Sequence, residues 1–241
     1  MNKTKPTNRA RLALPLQSIL LILLIGGIGI QTFTSCSSDD DGGGGSNSFE
    51  TVTIGDQIWM KHNLNFNVSG SKCYGEGSEV VVGYDEIGPD NMKIEIPITE
   101  PLSPDKVQEN CIKYGRLYDW ETAMEVCPDG WHLPSIAEWQ TLVNTVGGVL
   151  IAGAKLKAAS GWNGDGNGTD DYGFSALPGG YYGSHVGDIR LFFDVGDTGA
   201  WWSTDVNADG DHGRALAMSY ENSRVQIGSS DNYFSVRCLQ N

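Results

Sequence analysis

Polar and apolar residues alternate from Thr51 to Ile54, with Val52 and Ile54 each following a threonine, and Gly55-Asp56 interrupts the run before Ile58 and Met60. A two-residue period broken by a turn dipeptide predicts a hairpin over 49–60. A second hairpin is predicted over 80–98, where Val80-Val-Val-Gly-Tyr84 and Lys93-Ile-Glu-Ile-Pro-Ile98 flank Gly88-Pro89-Asp90-Asn91. Pro97 cannot donate to a ladder, so it marks the second arm as an edge. Pro101 and Pro104 read as the end of regular structure. In the middle of the chain the period lengthens to three and four residues. Leu117, Trp120, Ala123 and Met124 predict a helix over 118–126, stopped by Pro128-Asp129-Gly130. Ser135 and Glu138 form a capping-box signature. Trp139, Leu142, Val143 and Val146 give the helix 135–146 an apolar face, and Gly147-Gly148 end it. A shorter helix is expected at 152–159. Beyond Ser160 the chain is rich in Gly, Asp and aromatic residues, with short strands expected at 191–195, 200–204, 214–220 and 234–239. The predicted class is α+β: two helices packed beside a small antiparallel sheet, with long Gly/Asp-rich loops.

The N-terminal 35 residues follow a different pattern. Lys3, Lys5, Arg9 and Arg11 precede an apolar run from Ile19 to Ile30, and no acid is present. A basic start and a short apolar core make a secretory signal. The run falls short of the roughly 20 residues that span a bilayer as a helix, which weighs against an uncleaved anchor. Phe33-Thr34-Ser35-Cys36 resembles a bacterial lipobox, in which Cys36 carries lipid and becomes the first mature residue; Phe33 stands where Leu is usual. The next residues, Ser37-Ser38-Asp39-Asp40-Asp41, then Gly42 to Gly45 and Ser46-Asn47-Ser48, form a flexible tether. The acidic run resembles the surface-export signal of Bacteroidetes lipoproteins; the same run can simply solvate a tether. The predicted organisation is a lipoprotein signal over 1–35, lipidated Cys36 and tether over 36–48, and one domain over 49–241. The expected location is the outer membrane, held by lipid and facing outward.

Charge and cysteines narrow the picture. The chain has 30 acidic and 16 basic side chains and a net charge of −14; removing four positive charges with residues 1–35 leaves −18. Such a surface excludes nucleic acid as a partner, which requires a basic face. If Cys36 is lipidated, Cys73, Cys111, Cys127 and Cys238 remain, an even set in an oxidising compartment with three pairings open. No two-residue cysteine spacing occurs and His132 stands alone, which argues against zinc.

The series Tyr114-Gly-Arg-Leu-Tyr-Asp-Trp120, Cys127-Pro-Asp-Gly-Trp-His-Leu-Pro-Ser135, Glu138-Trp139, Gly161-Trp162-Asn163, Gly166-Asn-Gly-Thr-Asp170, Tyr172-Gly-Phe-Ser-Ala-Leu-Pro-Gly-Gly180 and Ser235-Val-Arg-Cys-Leu239 resembles the Fibrobacter succinogenes major paralogous domain family over about 50–240. Between Cys73 and Cys111 the family segment is usually short, so 76–109 reads as an inserted hairpin. The same stretch resembles the start of a C-type lectin-like domain, where a helix cysteine bonds to the last strand. That resemblance implies the pairing Cys127–Cys238 and leaves Cys73–Cys111 to pin the insert. Leu133-Pro134-Ser135 with Glu138-Trp139 also resembles formylglycine-generating-type enzymes, whose reactive cysteines lie near the C-terminus; here only Cys238 does, so no catalytic residue is assigned and no enzyme is expected.

Two loops resemble calcium sites, and calcium is the one cofactor suggested. Asn163, Asp165, Asn167, Asp170 and Asp171 form the first; Asp205, Asn207, Asp209 and Asp211 form the second. Each places oxygens at positions one, three and five with Gly at six, but Phe174 and Leu216 replace the bidentate Glu at twelve. The same residues serve ordinary turn chemistry. Trp162, Tyr181, Tyr182, Trp201 and Trp202 are candidate sugar-stacking rings, with core packing as the alternative. Neighbouring strand residues point to opposite faces, so one of Trp201 and Trp202 is expected at the surface. The four histidines, His62, His132, His185 and His212, do not cluster, and no nucleophile elbow or phosphate loop is present. The expected work is non-enzymatic binding of a glycan or a surface protein through the loops at 160–211. The alternative is a structural or assembly component of the envelope.

Overall fold

The structure is a computed structural model that describes residues 49–87, 94–184 and 189–241. The signal 1–35, the lipidation candidate Cys36, the tether 36–48, the 88–91 turn and His185 lie outside the described residues.

The first hairpin forms as its alternation predicts. β1 (Thr51–Ile54) and β2 (Gln57–Met60) pair antiparallel, with Ile54 opposite Gln57 across Gly55-Asp56. After the short β3 (Ser71–Lys72), β4 (Val80–Ile87) and β5 (Ile94–Glu100) form the second hairpin. It is not a separate excursion, because Val80 also pairs in parallel with Phe192 and ties β4 into a larger sheet.

Pro104 does not end regular structure. It opens α1 (Pro104–Tyr114), with the Ser103 hydroxyl accepting from the Lys106 N–H. The first helical position has no intrahelical partner for its N–H, so proline costs nothing there, and its fixed φ favours the helix. β6 (Leu117–Tyr118), α2 (Trp120–Glu125), β7 (Trp131–His132), α3 (Ile136–Thr145) and α4 (Ala152–Leu156) follow. In α3 the predicted capping box is complete: Ser135 accepts from the Glu138 N–H, and Glu138 accepts from Ser135.

The remaining half is strand: β8 (Gly179–Ser184), β9 (Arg190–Val195), β10 (Thr198–Val206), β11 (Gly213–Ser219), β12 (Val225–Ser230), β13 (Phe234–Ser235) and β14 (Leu239–Gln240). This overturns the expected class. The molecule is mostly β, with 37% strand against 18% helix, and its strands form three sheets rather than one small sheet beside two helices. The orders are β1-β2-β14-β7, β12-β11-β10-β13-β6-β3 and β5-β4-β9-β8. The expectation failed where glycine and serine interrupt the strand pattern. β8 reads Gly-Gly-Tyr-Tyr-Gly-Ser and β12 reads Val-Gln-Ile-Gly-Ser-Ser, and both look like loop sequence. In β8 the glycine is required: Gly180 has φ +68°, and a Cβ there would lie 2.7 Å from the Tyr74 ring.

The two ends of the domain close on each other. Leu239 of β14 pairs with Trp59 of β2 on one side and His132 of β7 on the other. Cys127 and Cys238 are bonded with Cα atoms 6.0 Å apart, and Cys73 and Cys111 with Cα atoms 5.0 Å apart, as the resemblance implied. A large cluster on α3 and α4 contains Trp59, Trp139, Phe174 and Trp201; a second contains Tyr118, Trp202, Phe234 and Cys238. A third, built on Tyr74, Val80, Leu117 and Phe192, lies at the base of the second hairpin.

Candidate functional site

A cleft of about 400 Å³ opens where α2 meets the ends of β9, β11 and β12. Asp119 caps α2 by accepting from the Thr122 N–H at 2.8 Å. This cap fixes Trp120 at the first turn, half-buried, with its indole N–H donating to the Ser203 carbonyl at 2.9 Å. The ring lies against Gly213, where a Cβ would collide with it. Gly213 begins β11, so the absence of a side chain there is what admits the indole. Opposite, the turn after β12 carries Asp231, Asn232 and the half-buried Tyr233. Arg190 joins this wall: it donates to the Asp231 carbonyl at 3.2 Å, and its guanidinium lies 5.9 Å from the Tyr233 ring centroid.

The cleft holds more acid than base. Asp119, Glu121, Asp211 and Asp231 face Arg190 and His212. Arg190 is paired with Asp231 at 3.5 Å, and His212 bonds Asp211 at 2.7 Å. Hydrogen bonds from His212 and Asn207 hold the Asp211 carboxyl below its usual range, and the same contact raises His212. Burial, followed by the Asp119 charge, raises the Tyr233 phenol, which stays a neutral donor at ordinary pH. Half-exposed rings beside carboxylates, an amide and a guanidinium can stack on a flat apolar face and bond hydroxyls around it.

The rings expected to serve this purpose sit elsewhere. Trp201 and Trp202 do point to opposite faces of β10, but both faces are covered and both are fully buried. Their indoles donate to Asn63 Oδ1 and the Tyr118 carbonyl, each at 2.8 Å. Trp162 is also core, donating to the Ala176 carbonyl at 2.9 Å under the Lys157 amine. Alternation predicts a surface ring only when one face of a strand meets water, and β10 lies inside its sheet. Tyr181 is half-buried and stacked on Phe193; burial and Asp194 push its phenol up to about 12. Tyr182 packs on Phe192 and, edge-on, against Tyr233 of the cleft, with ring centroids 5.3 Å apart.

The two calcium-like loops are held by turn bonds. Asn167 Oδ1 accepts from the Trp162 N–H, Asp170 accepts from the Ser175 N–H and hydroxyl, and the Asn163 amide donates to Asp197. In the second loop Asp205 accepts from the Ile136 N–H at 2.7 Å, adding a cap to α3, and Asn207 and Asp211 bond each other. Asp165, Asp171 and Asp209 are exposed. Among the described residues no three His, Cys, Asp or Glu side chains are placed to hold a metal ion. Only Asp211 of these candidates reaches the cleft.

The residues of the cleft carry no joint signal in the sequence. Trp120 looked like a helix-face residue, and Arg190, Asp231 and Tyr233 stand far from it along the chain. Of the remaining motif residues, His132 bridges Glu138 at 2.9 Å and Asn241 at 2.7 Å, tying β7 to α3 and the C-terminus. Cys238, the only cysteine near the C-terminus, is bonded to Cys127. No helix among the described residues is long and apolar enough to cross a membrane.

Comparison with known proteins finds no significant match among curated proteins and none among solved structures. The Fibrobacter succinogenes major domain family matches residues 52–240, from β1 to β14, and the chain belongs to that family.

Proposed function

We propose that this protein is a non-enzymatic, lipid-anchored surface protein that binds a glycan in the cleft between Trp120 and Tyr233. The cleft itself carries this reading: it is the place where half-exposed rings, carboxylates, an amide and a guanidinium converge around a concavity of about 400 Å³. The lipobox-like segment at Cys36 and the acidic tether support the address. The acid excess favours a neutral or amino-bearing sugar over an acidic one, because like charges raise the cost of approach. Titrating the full-length protein in a non-ionic detergent with neutral and amino oligosaccharides, followed by tryptophan fluorescence, tests the reading. A saturable change is expected. The variant Glu121→Gln with Asp231→Asn should weaken it at least tenfold while leaving the melting temperature within about 2 °C, as exposed substitutions usually do. Equal binding by wild type and variant contradicts the reading.

A protein partner is favoured by a separate observation. On the second hairpin Ile96 and Ile98, opposite Asp85 and Gly83, share one face, and each is more than two-fifths exposed. Contiguous exposed apolar groups mark contact surfaces. Co-purified envelope proteins lost in Ile96→Ser with Ile98→Ser would support the assembly role.

A further inference from the structure

Among the described residues three cationic side chains are buried, and two are fully accounted for. Arg116 is paired with Glu76 at 2.8 Å and also bonds Ser71. Lys157 donates to the Ser219 and Asn222 carbonyls over the Trp162 ring. Arg237 is different. It is 1% exposed and has no ion pair among the described residues. Its guanidinium lies 4.3 Å from the Phe174 ring centroid and 5.9 Å from that of Trp201. Nε and Nη2 donate to Asn63 Oδ1 at 3.1 and 2.9 Å, and Nη1 donates to the Phe174 carbonyl. An arginine has five N–H donors, so two are left without an acceptor among the described residues. Burial depresses the group, and Asp170 is the charge that opposes this. Asp170 makes no ion pair with it, and a buried charge without a hydrogen-bonded counter-charge is costly.

Arg237 lines a cavity of about 160 Å³ together with Asn63, Asn65, His62 and Lys113, and no acidic residue lines it. Lys113 makes no ion pair among the described residues; its amine lies 4.6 Å from the Tyr114 ring centroid. The nearby end of α1 does not offset this basic lining, because the Cys111 carbonyl accepts from the Gly115 N–H and the Tyr114 carbonyl from the Asn63 amide. Glu50 approaches His62 at 3.4 Å without lining the cavity. The Asn63 amide is already engaged by the Tyr114 carbonyl and the Ser235 hydroxyl, which leaves a planar guanidinium with free donors, an ammonium and the Asn65 amide, the groups an oxyanion needs. We propose that this cavity binds a small oxyanion group, a carboxylate, sulfate or phosphate, with Arg237 at its floor and Lys113 at its mouth. The site shares no residue with the Trp120 cleft and stands or falls independently of it.

The test is thermal melting of the full-length protein with sulfate, phosphate or acetate, each against chloride at equal ionic strength. The three anions separate sulfate-ester, phosphate and carboxylate recognition. A saturable rise of about 3 °C at tenfold excess over the dissociation constant is expected for at least one anion. Because Arg237→Gln removes a buried group and can fail to fold, Lys113→Glu carries the comparison: Lys113 is exposed, and the new carboxylate should abolish the saturable rise. Sulfate and phosphate also stabilise proteins non-specifically, but that effect is linear and unchanged by Lys113→Glu. No saturable rise with any of the three, or an equal rise in wild type and variant, overturns the proposal and leaves Arg237 as a packing residue between two rings.

Discussion

Single residues decide where the cleft is and what it can hold. Trp120 enters it because Asp119 caps α2 and Gly213 carries no side chain. Gly213→Ala therefore expels the indole, and the expected result is lost ligand binding together with a red-shifted tryptophan emission. His212 offers a second check at this scale. Its pairing with Asp211 raises it above 6.5, so the charged pair contributes fully below the unfolded value and is lost as pH rises through the raised one. An NMR titration should place His212 above 6.5 in the wild type and nearer to 6.5 in Asp211→Asn. Truncating Trp202 reports on the core instead: Trp202→Ala should cost about 3–5 kcal/mol in urea denaturation, so any binding lost with it reflects unfolding. The calcium-like loops follow the same logic. Their oxygens already accept from Trp162, Ser175 and Ile136, so calcium and chelator should leave the melting temperature equal.

At the scale of elements, what could be read in the sequence was what repeats locally. The two hairpins, the α3 periodicity and the Ser135–Glu138 box lie within short windows and form as their patterns predict, whereas α2 forms without its expected face: Leu117 belongs to β6 and Met124 is exposed. α1 was missed because Pro104 has opposite meanings at a helix start and in a helix interior. β8 is held by its pairing with β9 and not by alternation of its own, and β12, paired with β11, alternates only over Val225-Gln226-Ile227 before Gly228 and two serines break the pattern. The cleft was illegible for a related reason, since Trp120, Arg190 and Tyr233 meet only through sheet topology that no window contains. The α3 cap supplies the test here. Ser135→Ala should cost about 1 kcal/mol. Glu138 is opposed by burial but held low by the Ser135 N–H and hydroxyl and by His132. Its contribution is therefore present above the unfolded value of 4.5 and disappears as pH falls through the lowered folded one. A melting series from about pH 6 to about pH 3 should show the gap between wild type and Glu138→Gln closing toward the acid end.

Over the whole molecule, three sheets of four to six strands are held together by covalent and terminal closure. β14 is two residues long, yet it lies between β2 and β7 and is fixed by the Cys127–Cys238 bond, which spans 111 residues of sequence. A link that closes a loop of this length restricts the unfolded chain by up to about 4–5 kcal/mol in the entropy picture. Reduction should therefore lower the melting temperature by more than about 8 °C. An unchanged value would contradict that role. The central claim is that this scaffold exists to present the Trp120–Tyr233 cleft. Hydrogen exchange of the full-length protein, with and without a panel of neutral and amino oligosaccharides, tests it most directly. The account predicts new protection at 119–121, 211–213 and 230–233 with the second hairpin unchanged. Protection confined to 80–100, or no change with any sugar in the panel, would contradict it.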